Sequence, residues 1–284
     1  MKKLLITGAN SYIGTSVEKW LRASKNEYEI TTLDMRNSNW HEHDFSRYDS
    51  VFHVAGLVHK NENSVTVESY YKVNRDLPYA VAQKARNEGV KQFIFLSTMS
   101  VYSGIEKQIT RQTKENPITF YGKSKLEAEK LLMDLETSSF QLVIIRPPMV
   151  YGLHATGNYT KLSKLAKYMP VFPNINNQRS MIYIDNLCEF VKKAIDYQIS
   201  GIYFPQNKDF ITTSVLYKEI RNVNGKKTLL ISIFNPIINK FLEKGKINKL
   251  FNNLVYDKEL SKTGFEYQIV NFEKSVIYSE GKYD

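Results

Sequence analysis

Short apolar runs alternate with segments of helical periodicity over the first 150 residues of the chain. The apolar runs predict strands at residues 3–6, 29–33, 50–54, 93–96 and 142–145. The periodicity between these runs predicts helices at residues 16–24, 70–88 and 124–136. Short buried strands separated by helices are typical of βαβ units, so we expect an α/β fold built on a parallel sheet.

This alternation stops at Pro147 and Pro148, because two consecutive prolines end a regular element. Beyond residue 152 the pattern weakens and prolines become more frequent. We therefore expect a first domain over residues 1–152 and a smaller C-terminal lobe over residues 153–284, with the two parts interleaved.

Composition places the chain among ordinary globular proteins. Its 284 residues are 42% hydrophobic and 24% charged, which excludes disordered and fibrous classes. The single cysteine, Cys188, cannot form an internal disulfide, which favours a reducing compartment. The first apolar run, Leu4–Ile6, is too short for a signal peptide or a membrane span. We expect a cytoplasmic protein without a membrane span.

The net charge of +10 is concentrated in one segment. Residues 221–262 carry nine Lys or Arg and three acids, and so contribute +6. No basic stripe interleaved with aromatic residues and no zinc-finger spacing accompanies this charge, so we expect anionic small molecules rather than nucleic acid as partners. Residues 237–251 combine lysines with apolar residues, a pattern compatible with a membrane-surface helix but more typical of a packed or solvated terminal helix.

A glycine-containing turn follows the first predicted strand and opens a helix. Residues 7–14 read Thr-Gly-Ala-Asn-Ser-Tyr-Ile-Gly, with Ser11 where a middle glycine is usual. Glycines at such a turn allow the backbone to approach a pyrophosphate, and a helix N-terminus stabilises its negative charge. The predicted dinucleotide contacts in this turn are Gly8, Asn10, Ser11, Tyr12, Ile13 and Gly14.

The end of the second predicted strand bears on the choice of dinucleotide. Asp34 stands where a carboxylate accepts hydrogen bonds from a ribose 2′-hydroxyl, which favours NAD. Arg36 follows two residues later and suits the 2′-phosphate of NADP. We expect Asp34, Met35 and Arg36 to bind the adenosine ribose, with NAD and NADP both open.

Tyr121 and Lys125 are four residues apart, so they share one face of a helix. An ammonium group beside a phenol favours the phenolate and would lower the pKa of the tyrosine from about 10. Such a tyrosine exchanges a proton with a sugar hydroxyl while hydride moves to or from nicotinamide. Thr98, just after the fourth predicted strand, offers a hydroxyl to the same substrate oxygen. These three residues are the predicted catalytic set.

Four further segments complete a recognisable set: Asp44-Phe45, Phe52–Gly56, Ser97-Thr98 and Arg146–Gly152. In this order and spacing the motifs resemble those of the extended short-chain dehydrogenase/reductase family, in its nucleotide-sugar epimerase/dehydratase branch. The resemblance covers most of the chain. It implies a Rossmann-type doubly wound parallel sheet that binds NAD or NADP, with a smaller C-terminal substrate-binding lobe for a UDP-sugar, in a homodimer.

The resemblance also implies roles for individual residues. Tyr121 would be the acid/base, Lys125 would bind the nicotinamide ribose, and Thr98 would orient the substrate. Further cofactor contacts are implied for Asp44 and Phe45 at the adenine, for Val54, Ala55 and Gly56 along the pyrophosphate and ribose, for Pro147 and Val150 beside the nicotinamide, and for Asn74 as a support. Substrate contacts are implied for Thr98, Met99, Ser100, Asn158, Phe172 and, at the diphosphate, Arg179.

Departures from the family pattern narrow the choice among the reactions that the family catalyses. Its 4,6-dehydratases place an Asp-Glu pair after the threonine, whereas Met99 and Ser100 stand there in this chain and cannot move protons. Two reactions remain, 4-keto reduction with NAD(P)H and 4-epimerisation with tightly bound NAD. Residues 174–180 and 252–256 resemble capsule-locus reductases of UDP-4-keto-6-deoxy-N-acetylhexosamine. We therefore place a reductase of surface-polysaccharide precursor synthesis ahead of a UDP-sugar 4-epimerase.

Two other interpretations carry less weight. A non-catalytic, dinucleotide-sensing regulator is disfavoured because the predicted catalytic set and Arg179 are all present. A metal site at His41 and His43 is disfavoured because no third ligand has supporting spacing, so no metal is expected.

Overall fold

The computed structural model describes residues 1–24, 27–58, 66–102, 106–233, 235 and 251–282. The strands are β1 (Lys2–Thr7), β2 (Tyr28–Leu33), β3 (Ser50–His53), β4 (Gln92–Leu96), β5 (Gln108–Ile109), β6 (Gln141–Ile145), β7 (Met149–Tyr151), β8 (Val171–Pro173), β9 (Met181–Tyr183), β10 (Gly201–Tyr203), β11 (Leu229–Ile231) and β12 (Val255–Tyr256). The α-helices are α1 (Tyr12–Ala23), α2 (Val67–Tyr71), α3 (Leu77–Asn87), α4 (Phe120–Met133), α5 (Asn158–Ala166), α6 (Ile184–Asp196), α7 (Thr213–Val223) and α8 (Phe272–Ser279). The predicted helix over 237–251 lies outside the described residues, apart from Phe251.

Six strands form one sheet in the order β10-β6-β4-β3-β1-β2, and every neighbouring pair is parallel. The chain proceeds from β1 to β2 in one direction and from β3 to β10 in the other, so the winding reverses between β1 and β3. Ligands of such sheets bind beyond the carboxyl ends of the strands at this reversal. The predicted Rossmann-type doubly wound parallel sheet is confirmed.

Two helices that carry site residues begin earlier than predicted. Helix α1 begins at Tyr12, because the Ser11 hydroxyl caps it by accepting from the Gly14 N–H at 3.2 Å. Helix α4 begins at Phe120, because the Thr119 hydroxyl accepts from the Gly122 N–H at 3.1 Å. Capping serines and threonines were overlooked in the sequence, where the apolar periodicity suggested starts four residues later.

The single helix predicted over 70–88 is interrupted. Helix α2 runs into a π-helical turn, Lys72–Asp76, and α3 continues from it. Such π turns are frequent at functional sites, since they re-aim side chains. Here the turn contains Asn74, whose side chain is fully buried.

The centre of the sheet is apolar on both faces. Every residue of β3 and β4 is buried, and so is β6 after its first residue. Phe93 and Phe95 of β4 belong to a core cluster with Trp40 and Phe45. Each such side chain contributes about 1.5–3 kcal/mol on burial, so the strand ends are held on a rigid base. Cys188 is buried.

The chain divides into two compact units with interleaved bounds. The unit with the six-stranded sheet comprises Met1–Ser103, Lys114–Pro147 and Leu187–Pro205. The other comprises Gly104–Thr113, Pro148–Asn186 and Gln206–Asp284. The second unit contains three two-stranded parallel sheets, β5-β12, β7-β9 and β8-β11. A single cut after residue 152 does not describe this division, because β10 pairs with β6 in the first unit. None of the described helices is long and apolar enough to cross a membrane.

Removing the α1 cap tests the revised helix start. We expect Ser11→Ala to lower the free energy of unfolding by about 1 kcal/mol, measured in urea without cofactor, because the Gly14 N–H loses its acceptor. Ser16→Ala is the matched control: the Ser16 hydroxyl donates to Tyr12 O within α1, and its loss should change the value by less than about 0.5 kcal/mol. Equal effects of the two substitutions would contradict the cap.

Candidate active site

The turn after β1 fits the close approach of a pyrophosphate. Gly8 has φ +123°, and a Cβ on it would lie 2.7 Å from the Ala55 N atom. Ala55 in turn donates to Thr7 O at 2.9 Å, so the ends of β1 and β3 are in backbone contact. A Cβ on Gly14 would lie 3.0 Å from Val54 Cγ1. Both glycines are thus required for the close packing of the ends of β1 and β3 at the N-terminus of α1, where dinucleotide binding is expected.

A third crowded glycine lies after β3. A Cβ on Gly56 would be 3.2 Å from Asn74 Oδ1 and 3.4 Å from Lys125 Nζ. Asn74 accepts from the Leu57 N–H at 2.8 Å and donates to Leu57 O at 3.0 Å. Its amide is therefore engaged with the loop after β3.

Asp34 and Arg36 form an exposed ion pair at the end of β2. Arg36 Nη2 lies 2.6 Å from Asp34 Oδ2, and Arg36 Nε lies 3.0 Å from Oδ1. The hydrogen bonds from Arg36 lower the pKa of Asp34 to about 2. The side chains are 38% and 79% exposed respectively, so this edge is open to solvent. Met35 between them packs on the core.

Asp44 and Phe45 were both expected to contact the adenine, and the position of Phe45 differs from that expectation. The Phe45 ring is fully buried in the core, and its N–H donates to Glu88 at 2.6 Å. Asp44 is exposed and accepts from the Ser46 N–H and hydroxyl. Phe45 is therefore a core residue whose ring cannot flank an adenine, and of this pair only the Asp44 side chain is accessible.

The predicted catalytic residues converge beyond the carboxyl end of β4. The Thr98 hydroxyl accepts from the Ser100 N–H at 3.1 Å and hydrogen-bonds to Tyr121. Lys125 is buried, and its Nζ donates to Leu96 O at 2.8 Å. Thr98, the Tyr121 hydroxyl bonded to it and the Lys125 Nζ atom thus all lie near the end of this strand, where acid/base chemistry on a bound sugar is expected.

The pKa of Tyr121 moves opposite to the sequence-based expectation. Burial raises the pKa of Tyr121 to about 12, against the lowering effect of its hydrogen bond with Thr98. Burial also lowers the pKa of Lys125 to about 7, with Glu129 opposing that shift. The phenol is therefore held in its protonated, proton-donating form in the chain itself, because desolvation outweighs the hydrogen bond with Thr98.

A buried charge network lies directly beneath this set. Arg146, the first residue after β6, pairs with Glu129 of α4 at 2.6 Å, and both side chains are almost completely buried. Ser97 donates to the same carboxylate, and Arg146 also donates to Glu115 and Tyr102 at 2.7 Å each. Although burial opposes it, Glu129 raises the pKa of Arg146, so the guanidinium stays charged.

Sequence reasoning missed Glu129. It lies four residues after Lys125, on the inward face of α4, and a carboxylate there requires a buried cation. His53, the last residue of β3, is a packing residue. It is buried between Phe93 and Phe95, bonds Thr7 Oγ1 at 2.8 Å, and desolvation lowers its pKa to about 3.

In the second unit, Arg179 lies in a pocket. Its Nη1 donates to Asn252 O at 3.0 Å, and burial lowers the pKa of Arg179. Among the described residues, no carboxylate forms an ion pair with Arg179. The pocket is lined by Met149, Asn158, Tyr159, Leu162, Arg179, Met181, Ile211, Thr212, Thr213 and Leu216.

The remaining predicted contact residues do not all lie at one place in the structure. Phe172 is buried and stacks on Tyr217 with centroids 3.9 Å apart, so its ring is a core group and not part of the Arg179 pocket. Pro147 O accepts from the Met99 N–H at 2.9 Å, which ties the segment after β6 to the segment after β4. Val150 is half-buried in β7, opposite Ile182.

The fold and these residues define a Rossmann-type, dinucleotide-binding protein with the side-chain set of a short-chain dehydrogenase/reductase. Residues 4–203 match the NAD dependent epimerase/dehydratase family, and the chain belongs to that family. The predicted class of cofactor is thereby confirmed.

Comparisons with individual proteins agree with this family assignment. The chain is 29% identical to a UDP-glucose 4-epimerase of Vibrio cholerae over 254 residues, 80% of this chain and 77% of the relative. The structure of a dTDP-4-dehydrorhamnose reductase of Bacillus anthracis in complex with NADP superposes with a TM-score of 0.69 at 21% identity, over 83% of this chain and 86% of that one. A UDP-glucuronic acid 4-epimerase of Bacillus cereus in complex with NAD gives 0.73 at 18% identity, over 99% and 98%. The two structures show the shared fold alone.

The depressed pKa of Lys125 predicts a pH dependence of stability. Between the folded pKa of about 7 and the usual value near 10.5, the unfolded chain binds the additional proton. The free energy of unfolding of the wild type, relative to Lys125→Met, should therefore rise from pH 7 to pH 10, as measured by urea unfolding at several pH values. A difference that stays constant, or falls, over this range would contradict a buried lysine of lowered pKa.

Proposed function

We propose that the protein is an NAD(P)H-dependent reductase of the C4 ketone of a nucleotide sugar, of the UDP-4-keto-6-deoxy-N-acetylhexosamine kind, in surface-polysaccharide precursor synthesis. Reduction is supported by the solvent exposure of Asp34 and Arg36 at the end of β2, where the adenosine end of the dinucleotide is expected to bind. A consumed cofactor must leave after each turnover, and an exposed binding edge favours such exchange. A cytoplasmic location and a homodimer are part of the same proposal.

The residues after β4 and in α4 carry the chemistry. A bound NADH or NADPH supplies hydride for C4 of the sugar. The Tyr121 hydroxyl donates its proton to the ketone oxygen, which becomes the C4 hydroxyl. Thr98 donates a hydrogen bond to the same oxygen and orients it, and Lys125 binds the nicotinamide ribose. A tyrosine held in its protonated form suits this direction of transfer.

The dinucleotide and the nucleotide sugar are assigned to separate groups of residues. Gly8, Gly14 and Gly56 allow the close packing of the loops after β1 and β3, against which the pyrophosphate and ribose would lie. Arg179 binds the diphosphate of the substrate, because a buried guanidinium without an acidic partner among the described residues retains donors for phosphate oxygens. Asp34 and Arg36 suit NADH and NADPH respectively.

The identity of the residues after Thr98 argues against dehydration. Met99 is buried with its N–H bonded to Pro147 O, and Ser100 donates to Thr98. Neither side chain is an acid or base near neutral pH, so no group in these positions removes a proton from the sugar ring.

The direct test supplies the purified protein with UDP-4-keto-6-deoxy-N-acetylhexosamine and NADH or NADPH. We expect one dinucleotide oxidised for each C4 hydroxyl formed, followed at 340 nm and by product chromatography. Absence of oxidation with either dinucleotide would contradict reduction. The matched control omits the sugar nucleotide.

A 4-epimerase is the second candidate, because the Vibrio cholerae relative is a UDP-glucose 4-epimerase and the same catalytic set serves both reactions. Epimerisation consumes no external dinucleotide. Interconversion of UDP-glucose with UDP-galactose, or of their N-acetyl forms, without added NAD(P)H would favour this candidate over the first.

Removing the Tyr121 hydroxyl should abolish the chemical step. We expect Tyr121→Phe to lower kcat by at least about a hundredfold, since general acid catalysis contributes about 10²–10⁴, while the Kd for dinucleotide changes little. Steady-state kinetics and dinucleotide fluorescence titration measure the two quantities. Tyr48→Phe is the matched control, because Tyr48 is buried and its hydroxyl bonds His43 rather than a predicted catalytic residue. Full activity of Tyr121→Phe would contradict the mechanism.

Removing the Arg179 guanidinium should weaken binding of the sugar nucleotide and leave binding of the dinucleotide unchanged. We expect Arg179→Ala to raise KM for the sugar nucleotide at least tenfold while KM for the dinucleotide is unchanged. Arg179→Lys keeps the charge but loses the planar fork, so an intermediate KM is expected. An unchanged KM for the sugar nucleotide in Arg179→Ala would show that the diphosphate binds elsewhere.

A further inference from the structure

The two-stranded sheet β8-β11 has two unlike faces. Leu229 lies opposite Val171, and Ile231 lies opposite Pro173, so these four apolar side chains share one face. The opposite face is the packed one, since it carries the buried ring of Phe172. The first face remains accessible, with Leu229 61% exposed.

Neighbouring residues extend this accessible apolar surface. The Leu229 N–H donates to Pro170 O at 2.8 Å, which places the segment before β8 beside the start of β11. That segment contains Tyr168, 84% exposed, and the exposed Met169, and Ile233 beyond β11 is 77% exposed. We refer to the whole as the lysine-rimmed face, formed by Tyr168, Met169, Val171, Pro173, Leu229, Ile231 and Ile233.

The rim of this face is cationic. Residues 161–173 and 225–233 contain no acid. Their five lysines are all exposed, and within the described part of the chain none pairs with a carboxylate: Lys161, Lys164, Lys167, Lys226 and Lys227. The acid that contacts this region, Glu280, is engaged with Ser163 at 3.1 Å and Asn224 at 3.1 Å.

We propose that the lysine-rimmed face attaches the protein peripherally to an anionic lipid bilayer. Exposed apolar side chains with an aromatic residue enter the headgroup region, and lysines around them bind anionic headgroups. A second copy of the chain fits less well, because a symmetric dimer through this face would bring its own lysines together. The charge of the rim therefore selects the bilayer as the occupant.

Helix α5 contributes Tyr159 and Leu162 to the Arg179 pocket, and its Lys161 and Lys164 are exposed. The proposal does not depend on which reaction the protein catalyses.

Sedimentation with vesicles tests the proposal. The full chain is mixed with vesicles of phosphatidylcholine alone or of phosphatidylcholine with phosphatidylglycerol, and the bound fraction is measured. We expect binding to the anionic vesicles only, with at least a tenfold loss of partitioning in Leu229→Asp and in the double variant Lys164→Glu/Lys167→Glu. Raised salt should weaken the binding of the wild type.

Matched control variants distinguish binding through the lysine-rimmed face from a general effect of net charge. Ile269→Asp changes another exposed aliphatic residue of the second unit, and Lys19→Glu/Lys91→Glu changes net charge equally in the first unit. These variants should bind as the wild type does. Absence of wild-type binding, equal loss in the controls, or a face-dependent dimer in size-exclusion chromatography without vesicle binding would each overturn the proposal. Circular dichroism checks that every variant is folded.

Discussion

The buried ion pair between Arg146 and Glu129 is the interaction on which the arrangement of the catalytic residues depends. It joins the end of β6 to α4, and the same carboxylate accepts from Ser97 at the end of β4. Removing one partner of such a pair costs about 3–5 kcal/mol, because the other charge is left buried and unpaired. Thr98 follows Ser97 directly, and Lys125 lies one helical turn before Glu129. The network therefore fixes the positions of Thr98 and Lys125 relative to each other.

Desolvation determines the electrostatics above that network. Burial raises the pKa of Tyr121 to about 12 and lowers that of Lys125 to about 7, so the phenol holds its proton and the lysine carries its charge weakly. This state suits proton donation to a ketone. The close backbone contact at Gly8 and the loop held by Asn74 complete a rigid dinucleotide groove beside the same residues.

The sheet was predictable because its central strands are uninterrupted apolar runs, and such runs have few alternatives to burial in a parallel sheet. The helix starts at Tyr12 and Phe120 were missed because single capping hydroxyls, not periodicity, determine them. Phe45 and Phe172 were misassigned because a local motif does not show whether an aromatic ring points towards the core or towards a ligand. Glu129 was missed because its partner is distant in sequence, and the return of β10 to the sheet is equally non-local. The roles of the remaining site residues stay predictions.

The most direct test of the account is the dinucleotide content of the purified protein, measured by chromatography after denaturation. The open edge at Asp34 and Arg36 predicts a cofactor that exchanges freely, and therefore far less than one nucleotide per chain after extensive dialysis. Stoichiometric NAD retained through purification would contradict an exchanging cofactor and would identify a closed internal redox cycle, as in an epimerase.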